Sequence, residues 1–258
     1  MHMLTLALAA LCALAALPVL VLLSQVLLAH GGRRASAVAS RTDADVAVLI
    51  PAHNEAAGIE ATLRCLQSQL RAGDRVLVVA DNCSDDTAAL ARRSGAEVIE
   101  RSHAVDRGKG FALDFGVRHL STRPPAMVLI VDADCLLDAG AAHALAGLCS
   151  SSGRPVQALY EMNAPAGAGL RARVSAFAWR VRNRVRPLGW WVVGAPCQLM
   201  GTGMMFPWAL LRDAPLASGH IAEDVQLGAD LALRGKPPLF APQARVTSTF
   251  PEGDAAAA

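Results

Sequence analysis

Five consecutive apolar residues, Met127-Val128-Leu129-Ile130-Val131, run without polar alternation and end in Asp132-Ala133-Asp134. A strand with one wet face alternates, whereas an unbroken apolar strand is covered on both faces, as in a parallel sheet between layers of helices. Parallel strands need long crossovers, usually helices, so the chain before this strand must supply strands and helices by turns. It does so. Val46-Ala47-Val48-Leu49-Ile50 and Arg75 to Ala80 are further strands of this kind, and Ala96 to Glu100 is a shorter one. Between them Ile59, Leu63, Leu66 and Leu70 recur at helical spacing behind a capping Asn54, and a second helix opens near Thr87 and stops at Gly95. A third helix follows Gly108-Lys109-Gly110 and carries Phe111 and Phe115 on one face. The expected fold class is therefore α/β, a doubly wound and mainly parallel sheet with right-handed crossovers. With 53% hydrophobic but only 4% aromatic residues in 258, its core must be aliphatic.

Open sheets of this type bind ligands at the carboxyl ends of their strands, where the loops would gather Glu55, Asp81, Lys109, Asp132 and Asp134. Two carboxylates one residue apart can share a hard divalent cation, although Asp is also a common turn residue. Gly-Lys-Gly at a helix N-terminus offers N–H groups and a cation to a phosphate, but lacks the spacing of a P-loop. Helix capping and the helix dipole account for Ser84, Asp85 and Asp86 and leave Asp81 unexplained. A formal net charge of +2 argues against a nucleic-acid partner. Six scattered cysteines without a C-x-x-C pair read as reduced core thiols.

Ahead of the α/β region, Met3 to Ala29 contains no charged residue and exceeds the ~20 residues that cross a bilayer. Residues 1–30 are expected to be a transmembrane anchor, kinked at Pro18, followed by a linker over 31–45. No Lys or Arg precedes the run, unlike a signal peptide, while Arg33, Arg34 and Arg41 follow it. The positive-inside rule then makes this a single-pass protein of the cytoplasmic (inner) membrane with the remaining chain in the cytoplasm.

Beyond Gly153 the pattern changes. Val156 to Leu159 suits a strand, and Leu170 to Trp191 reads as a basic helix with an apolar stripe of Val174, Phe177, Val181 and Val185. Arginines and Trp179, Trp190 and Trp191 around that stripe suit a membrane surface, and an ordinary core-facing stripe would give the same spacing. Gly201-Thr202-Gly203 permits close backbone approach to a substrate, and Glu223-Asp224 opens a helix whose dipole favours acids.

Four of these segments occur in a telling order: Pro-Ala-His-Asn-Glu (51–55), Val-Ala-Asp-Asn-Cys-Ser-Asp-Asp-Thr (79–87), Arg-Gly-Lys-Gly (107–110) and Val-Asp-Ala-Asp (131–134). Together they resemble the nucleotide-sugar half of family-2 glycosyltransferases, a resemblance that extends from Val46 to Phe250. It implies a GT-A fold over residues 46–258, with a nucleotide-sugar half (46–150) and an acceptor half (151–258). It also implies that Pro51, His53, Glu55, Asp81, Lys109 and Asp132 hold a UDP- or GDP-sugar, and that Asp134 binds Mg²⁺ or Mn²⁺. Gly201, Thr202, Gly203 and Glu223 would face the acceptor, and Asp224 would be the general base. Many relatives have two consecutive Asp where this chain has Ala80-Asp81, so the nucleobase contact would rest on Asp81 alone. No Gln-x-x-Arg-Trp motif follows Glu223-Asp224, which suggests a shortened form or an enzyme that transfers a single sugar. The resemblance thus implies a membrane-anchored, metal-dependent, inverting transferase acting on a lipid-linked or envelope glycan. A nucleotidyltransferase, which also uses paired Asp and a Gly-Lys loop, and an inactive nucleotide-sugar-binding scaffold are the alternatives.

Overall fold

The computed structural model describes residues 2–31, 42–217 and 223–250. Helix α1 (His2–Gly31) comes first, unbroken through Pro18. The α/β region follows as β1 (Val46–Ala52), α2 (Ile59–Gln67), β2 (Arg75–Asp81), α3 (Thr87–Arg93), β3 (Glu97–Arg101), α4 (Lys109–Leu120) and β4 (Met127–Ile130). Then come β5 (Leu136–Leu137), α5 (Ala141–Ser152), β6 (Val156–Asn163), α6 (Leu170–Arg180), a π turn (Val181–Val185) and α7 (Arg186–Val192). The last elements are β7 (Met204–Pro207), α8 (Trp208–Leu211), α9 (Glu223–Leu233) and β8 (Leu239–Thr249).

After α1 the described strands form one sheet of eight in the order β3-β2-β1-β4-β7-β6-β8-β5. β3, β2, β1 and β4 are parallel neighbours, β7 is antiparallel to both β4 and β6, and β6 pairs β8 in parallel. Because β7 reverses direction twice over, β6 points the same way as β4. Their carboxyl ends share one edge.

β1 shows why no alternation appears in the sequence. Val46, Val48 and Ile50 enter one core with Ile59, Leu63 and Leu66 of α2 and the small residues of α5. Ala47 and Leu49 enter the opposite core with Leu113 and Val117 of α4 and Leu227 and Leu231 of α9. Both faces are dry, so every position must be apolar. α4 sits closest to the sheet at Gly116, where an added Cβ would lie 2.4 Å from Leu49 Cδ1.

Several local expectations are corrected. Asn54 does not cap α2, which begins behind Gly58 without a side-chain cap and ends before Leu70. On α4 the buried face is Ala112, Leu113, Val117 and Leu120, with Phe115 exposed. The long basic helix is interrupted by the π turn, and Trp179 does not join its outward face. The Trp179 ring packs edge-on against Tyr160 at 5.3 Å and Phe250 at 5.9 Å, while Trp191 packs on the small cluster of Leu159, Cys197 and Phe240. Arg33, Arg34, Arg41 and most of the expected linker lie outside the described residues.

Among the described residues α1 is the one helix long and apolar enough to cross a membrane. Residues 2–20 of it are exposed, and its last turns, around the fully buried Gln25, rest on α7 and the π turn before it.

Candidate active site at the carboxyl edge of the sheet

The loops after β1, β2 and β4 and the start of α4 enclose a cleft of about 400 Å³. Pro51, His53, Glu55, Asp81, Lys109, Asp132 and Asp134, each singled out from the sequence, all line it, together with Arg107.

The first two loops are clasped together. His53 Nδ1–H donates to the Asp81 carbonyl at 2.7 Å, which assigns the tautomer. Asn54, at φ +56°, accepts the Ser84 amide on its Oδ1 at 2.7 Å. The Glu55 amide donates to Thr87 Oγ1 at 2.8 Å and the Ala56 amide to Asp85 Oδ2 at 3.1 Å. The Thr87 side chain, held in turn by Asp85, keeps that carboxyl below its usual range, with the two amides on Asp85 adding to the effect. Asn54 and Asp85 therefore shape the cleft wall by reaching across loops, where local capping alone was expected of them.

Asp81 lies on the cleft floor, 5% exposed, its Oδ1 accepting Arg101 Nη1 at 2.7 Å and Asn82 Nδ2 at 3.0 Å. Arg101 also lies 5.6 Å from the Phe111 ring. Sequence reasoning ended the third strand at Glu100 and missed Arg101; an arginine at the ligand edge of a parallel strand was the available signal.

The turn after β4 is pinned at three points. The Val131 amide still donates to Leu49 O at 3.2 Å, Thr62 Oγ1 donates to Ala133 O at 2.7 Å, and the Asp132 amide donates to Thr202 Oγ1 at 3.0 Å. Asp132, Asp134 and Cys135 offer ligand atoms all within 4.8 Å of one another. The chemistry separates them. Burial, reinforced by the neighbouring acids, pushes the Cys135 thiol far up, so it stays protonated and donates weakly to Asp134 Oδ1 at 3.5 Å. What remains is a pair of carboxylates, which suits a hard cation such as Mg²⁺ or Mn²⁺ and not a soft one.

Lys109, the first residue of α4, spans the cleft: its Nζ donates to Asp132 Oδ1 and, at 2.8 Å, to Gly201 O. Burial raises the Asp132 carboxyl despite Lys109, and Asp134 and Asp224 push it further up. Glu55 is also raised, by burial first and then by Asp134 and Asp132. The acids at this edge crowd one another.

The acceptor-half residues divide. Gly201 (φ +85°) faces the cleft, since a Cβ there would lie 3.4 Å from Lys109 Nζ and 3.7 Å from Asp224 Oδ2. Asp224, in the first turn of α9 after Glu223, therefore approaches the Lys109–Asp132 pair, while its Oδ1 accepts the Val225 amide at 2.8 Å. Thr202 is fully buried and its Oγ1 is turned towards the Asp132 backbone, which leaves only main chain in this segment to border an acceptor. Gly203 (φ +64°) is also turned inward, because an added Cβ would meet Val246 Cγ2 at 2.7 Å and Ala158 Cβ at 2.8 Å.

Residues 44–258 match the family model described as glycosyltransferase like family 2. A glycosyltransferase of Mycobacterium tuberculosis, itself uncharacterized, is 34% identical over 148 residues, which are 55% of this chain and 61% of that protein. The glycosyltransferase AglD of Haloferax volcanii is 40% identical over 89 residues, 31% of this chain and 14% of its own length. The chain thus spans less than two thirds of these curated relatives. Among solved structures, a mannosyltransferase from Pyrobaculum calidifontis in complex with GDP-Man and Mn²⁺ superposes with a TM-score of 0.71 at 20% identity, over 94% of this chain and 68% of that one. Glucosyl-3-phosphoglycerate synthase from M. tuberculosis, in complex with Mn²⁺, UDP-Glc and phosphoglyceric acid, gives 0.51 at 23% identity, over 77% and 69%. The architecture shared with these enzymes is the GT-A fold.

Proposed function

The chain belongs to glycosyltransferase family 2, and from that premise we propose that it is a metal-dependent, inverting transferase anchored in the cytoplasmic membrane. A UDP- or GDP-sugar would donate its anomeric carbon to a hydroxyl of a lipid-linked or envelope glycan. Residues 46–150 act as the nucleotide-sugar half and 151–258 as the acceptor half, with residues 1–30 as the membrane span. One observation carries this reading: Asp132, Asp134 and Lys109, suited to a diphosphate and its cation, meet Asp224 from the far half of the chain across Gly201.

Each group has a task. Pro51, His53 and Glu55 in the first loop and Asp81 on the floor surround the space for the nucleoside, with Arg101 neutralising Asp81. The departing diphosphate gathers negative charge, which the Lys109 ammonium and the N–H groups opening α4 stabilise. Asp134, with Asp132, would hold Mg²⁺ or Mn²⁺, which supplies the remaining positive charge at the diphosphate. Asp224 takes the proton from the acceptor hydroxyl as its oxygen bonds to the anomeric carbon and the bond from that carbon to the diphosphate breaks. Attack from the face opposite the leaving group inverts the configuration. Gly201 and Glu223 border the acceptor.

A panel of UDP- and GDP-sugars, assayed with the full-length protein for release of the nucleoside diphosphate, tests the proposal. Turnover with one donor in Mg²⁺ or Mn²⁺, abolished by chelator and by Asp134→Ala, is the expected result. Release of pyrophosphate, or full turnover in excess chelator, would overturn it.

A further inference from the structure

α6 has no buried residue, which is unusual for a helix in an α/β protein whose sheet is covered on both faces. Leu170, Val174 and Phe177, at 77%, 56% and 67% exposure, form one stripe at i, i+4 and i+7. The opposite side is fixed inward by Trp179, wedged against Tyr160 and Phe250, and the π turn that follows is tied by Arg184, whose Nη1 donates to the nearly buried Glu161 at 3.2 Å. Rotation of the helix could not hide the stripe without breaking these contacts. The π turn completes the arrangement. By inserting a residue it shifts the helical phase by about 100°, so that α7 turns Pro187 and Gly189 to buried surroundings while the α6 stripe stays outward.

What lies beside that stripe is the apolar anchor. Gly189 of α7 meets α1 backbone to backbone, since a Cβ there would fall 2.3 Å from Gln25 O, and Arg186 Nε donates to Gln25 Oε1 at 3.1 Å. From Met3 to Leu20 the anchor is apolar and exposed, a length of about 27 Å at 1.5 Å per residue, close to the ~30 Å of a bilayer's hydrocarbon layer. Gln25 then marks the water-side boundary, and α7, in contact with it, lies at headgroup level. α6 is joined to α7 by continuous helical chain. From Leu170 to Val192 this segment has six arginines and no acid.

Resting on the proposed reading of α1 as a membrane span, we propose that α6 is a second membrane contact: it lies in the interfacial layer of an anionic bilayer, with Leu170, Val174 and Phe177 at the acyl boundary and the exposed Arg173 and Arg182 among headgroup phosphates. Apolar residues on one side of a helix and cations around them are the chemistry that such a surface binds. Glu161, which takes Arg184, lies near the carboxyl end of β6, the end that shares an edge with Asp132. Docking of α6 would therefore hold the catalytic edge near the membrane, where a lipid-borne acceptor is found.

Photo-crosslinking in the intact protein tests this. Benzoylphenylalanine is placed singly at Val174, at Phe177, at Leu11 in the anchor and at the exposed Glu60 of α2, and the full chain is reconstituted in nanodiscs with or without phosphatidylglycerol. Lipid adducts at Val174, Phe177 and Leu11 but not at Glu60, with those at Val174 and Phe177 reduced in purely zwitterionic discs, are expected. Adducts at Leu11 with none at Val174 or Phe177 would overturn the α6 contact and leave the anchor standing. Adducts at these two positions to a second copy or to residues 251–258 would assign the stripe to a protein partner and overturn it too. Absence of adducts at Leu11 would remove the anchor and this inference together.

Discussion

Replacing Thr202 by valine keeps the shape of a fully buried side chain and deletes one atom that matters, the Oγ1 that accepts the Asp132 amide at 3.0 Å. The variant takes the acceptor from this part-buried amide, at a cost of about 1–3 kcal/mol. For a domain of this size each kcal/mol corresponds to roughly 2–4 °C in melting temperature, so a fall of about 2–12 °C is expected. A purely structural role would end there. The amide, however, belongs to the residue that pairs with Lys109 and opens the Asp132-Ala133-Asp134 turn, so its release lets both carboxylates drift. Misplacement by about 1 Å at a reacting centre can lower turnover by ~10². The assay is donor turnover against Mn²⁺ concentration on folded Thr202→Val and Thr202→Ser. Thr202→Val should need more Mn²⁺ for half-maximal rate, and Thr202→Ser, which keeps the hydroxyl, should return close to wild type. Lowered melting with an unchanged Mn²⁺ requirement would refute the positioning role.

Asp224→Asn should lower turnover by ~10²–10⁴ with donor affinity nearly unchanged, because a lost general base is felt in the transition state; near-normal turnover would reduce Asp224 to a residue that favours the start of α9. Away from the site, Asp74 holds the start of β1, accepting the Val46 amide at 2.9 Å, the Arg71 amide at 2.9 Å and the Arg71 guanidinium at 3.1 Å. Burial alone would raise its carboxyl, but these bonds outweigh it and hold the pKa below the usual aspartate value. A depressed acid stabilises fully above the unfolded pKa of about 3.9 and loses that stabilisation as pH falls through the folded value. Asp74→Asn should therefore lower the melting temperature at pH 7, with a deficit that shrinks as pH falls below about 4; a deficit independent of pH would refute this account.

The sheet was legible because its cause is local: Val46 to Ile50 and Met127 to Val131 are apolar at every position, and burial on both faces is what demands it. The cleft residues were legible for a related reason, since strand ends fix which loops meet. Polar partners were not. Asn54 and Asp85 read as helix caps because capping is the one role a short polar side chain displays within its own stretch of sequence. Asn54 binds Ser84, 30 residues away, and Asp85 takes the Ala56 amide 29 residues away besides the local Thr87 amide. Thr202 between two glycines looked like an open approach to substrate, yet Gly203 is there to admit Val246 and Ala158, and the threonine turns towards Asp132. Trp179 looked like an interfacial ring for the same reason. Nothing near it in sequence announces Tyr160 or Phe250.

Charge at the cleft decides how a donor can enter. With Asp81 taken up by Arg101, the remaining acids are Glu55, Asp132, Asp134 and the adjoining Asp224, faced by Arg107 and Lys109. Burial first, and the neighbouring acids after it, raise the carboxyls of Glu55 and Asp132. A bare nucleoside diphosphate would add more negative charge to a site already short of cations. A donor whose phosphates carry a divalent cation meets the opposite situation, because Asp132 and Asp134 then have a charge to share and Lys109 is free to turn to the phosphate. Calorimetric titration of the full-length protein with a UDP- or GDP-sugar should accordingly show weak or no binding in chelator and clear binding in Mn²⁺, with Asp134→Ala resembling the chelator result. Equal affinity with and without Mn²⁺ would mean that Arg107 and Lys109 alone suffice for the diphosphate, and the paired carboxylates would have to be explained by the architecture of their turn.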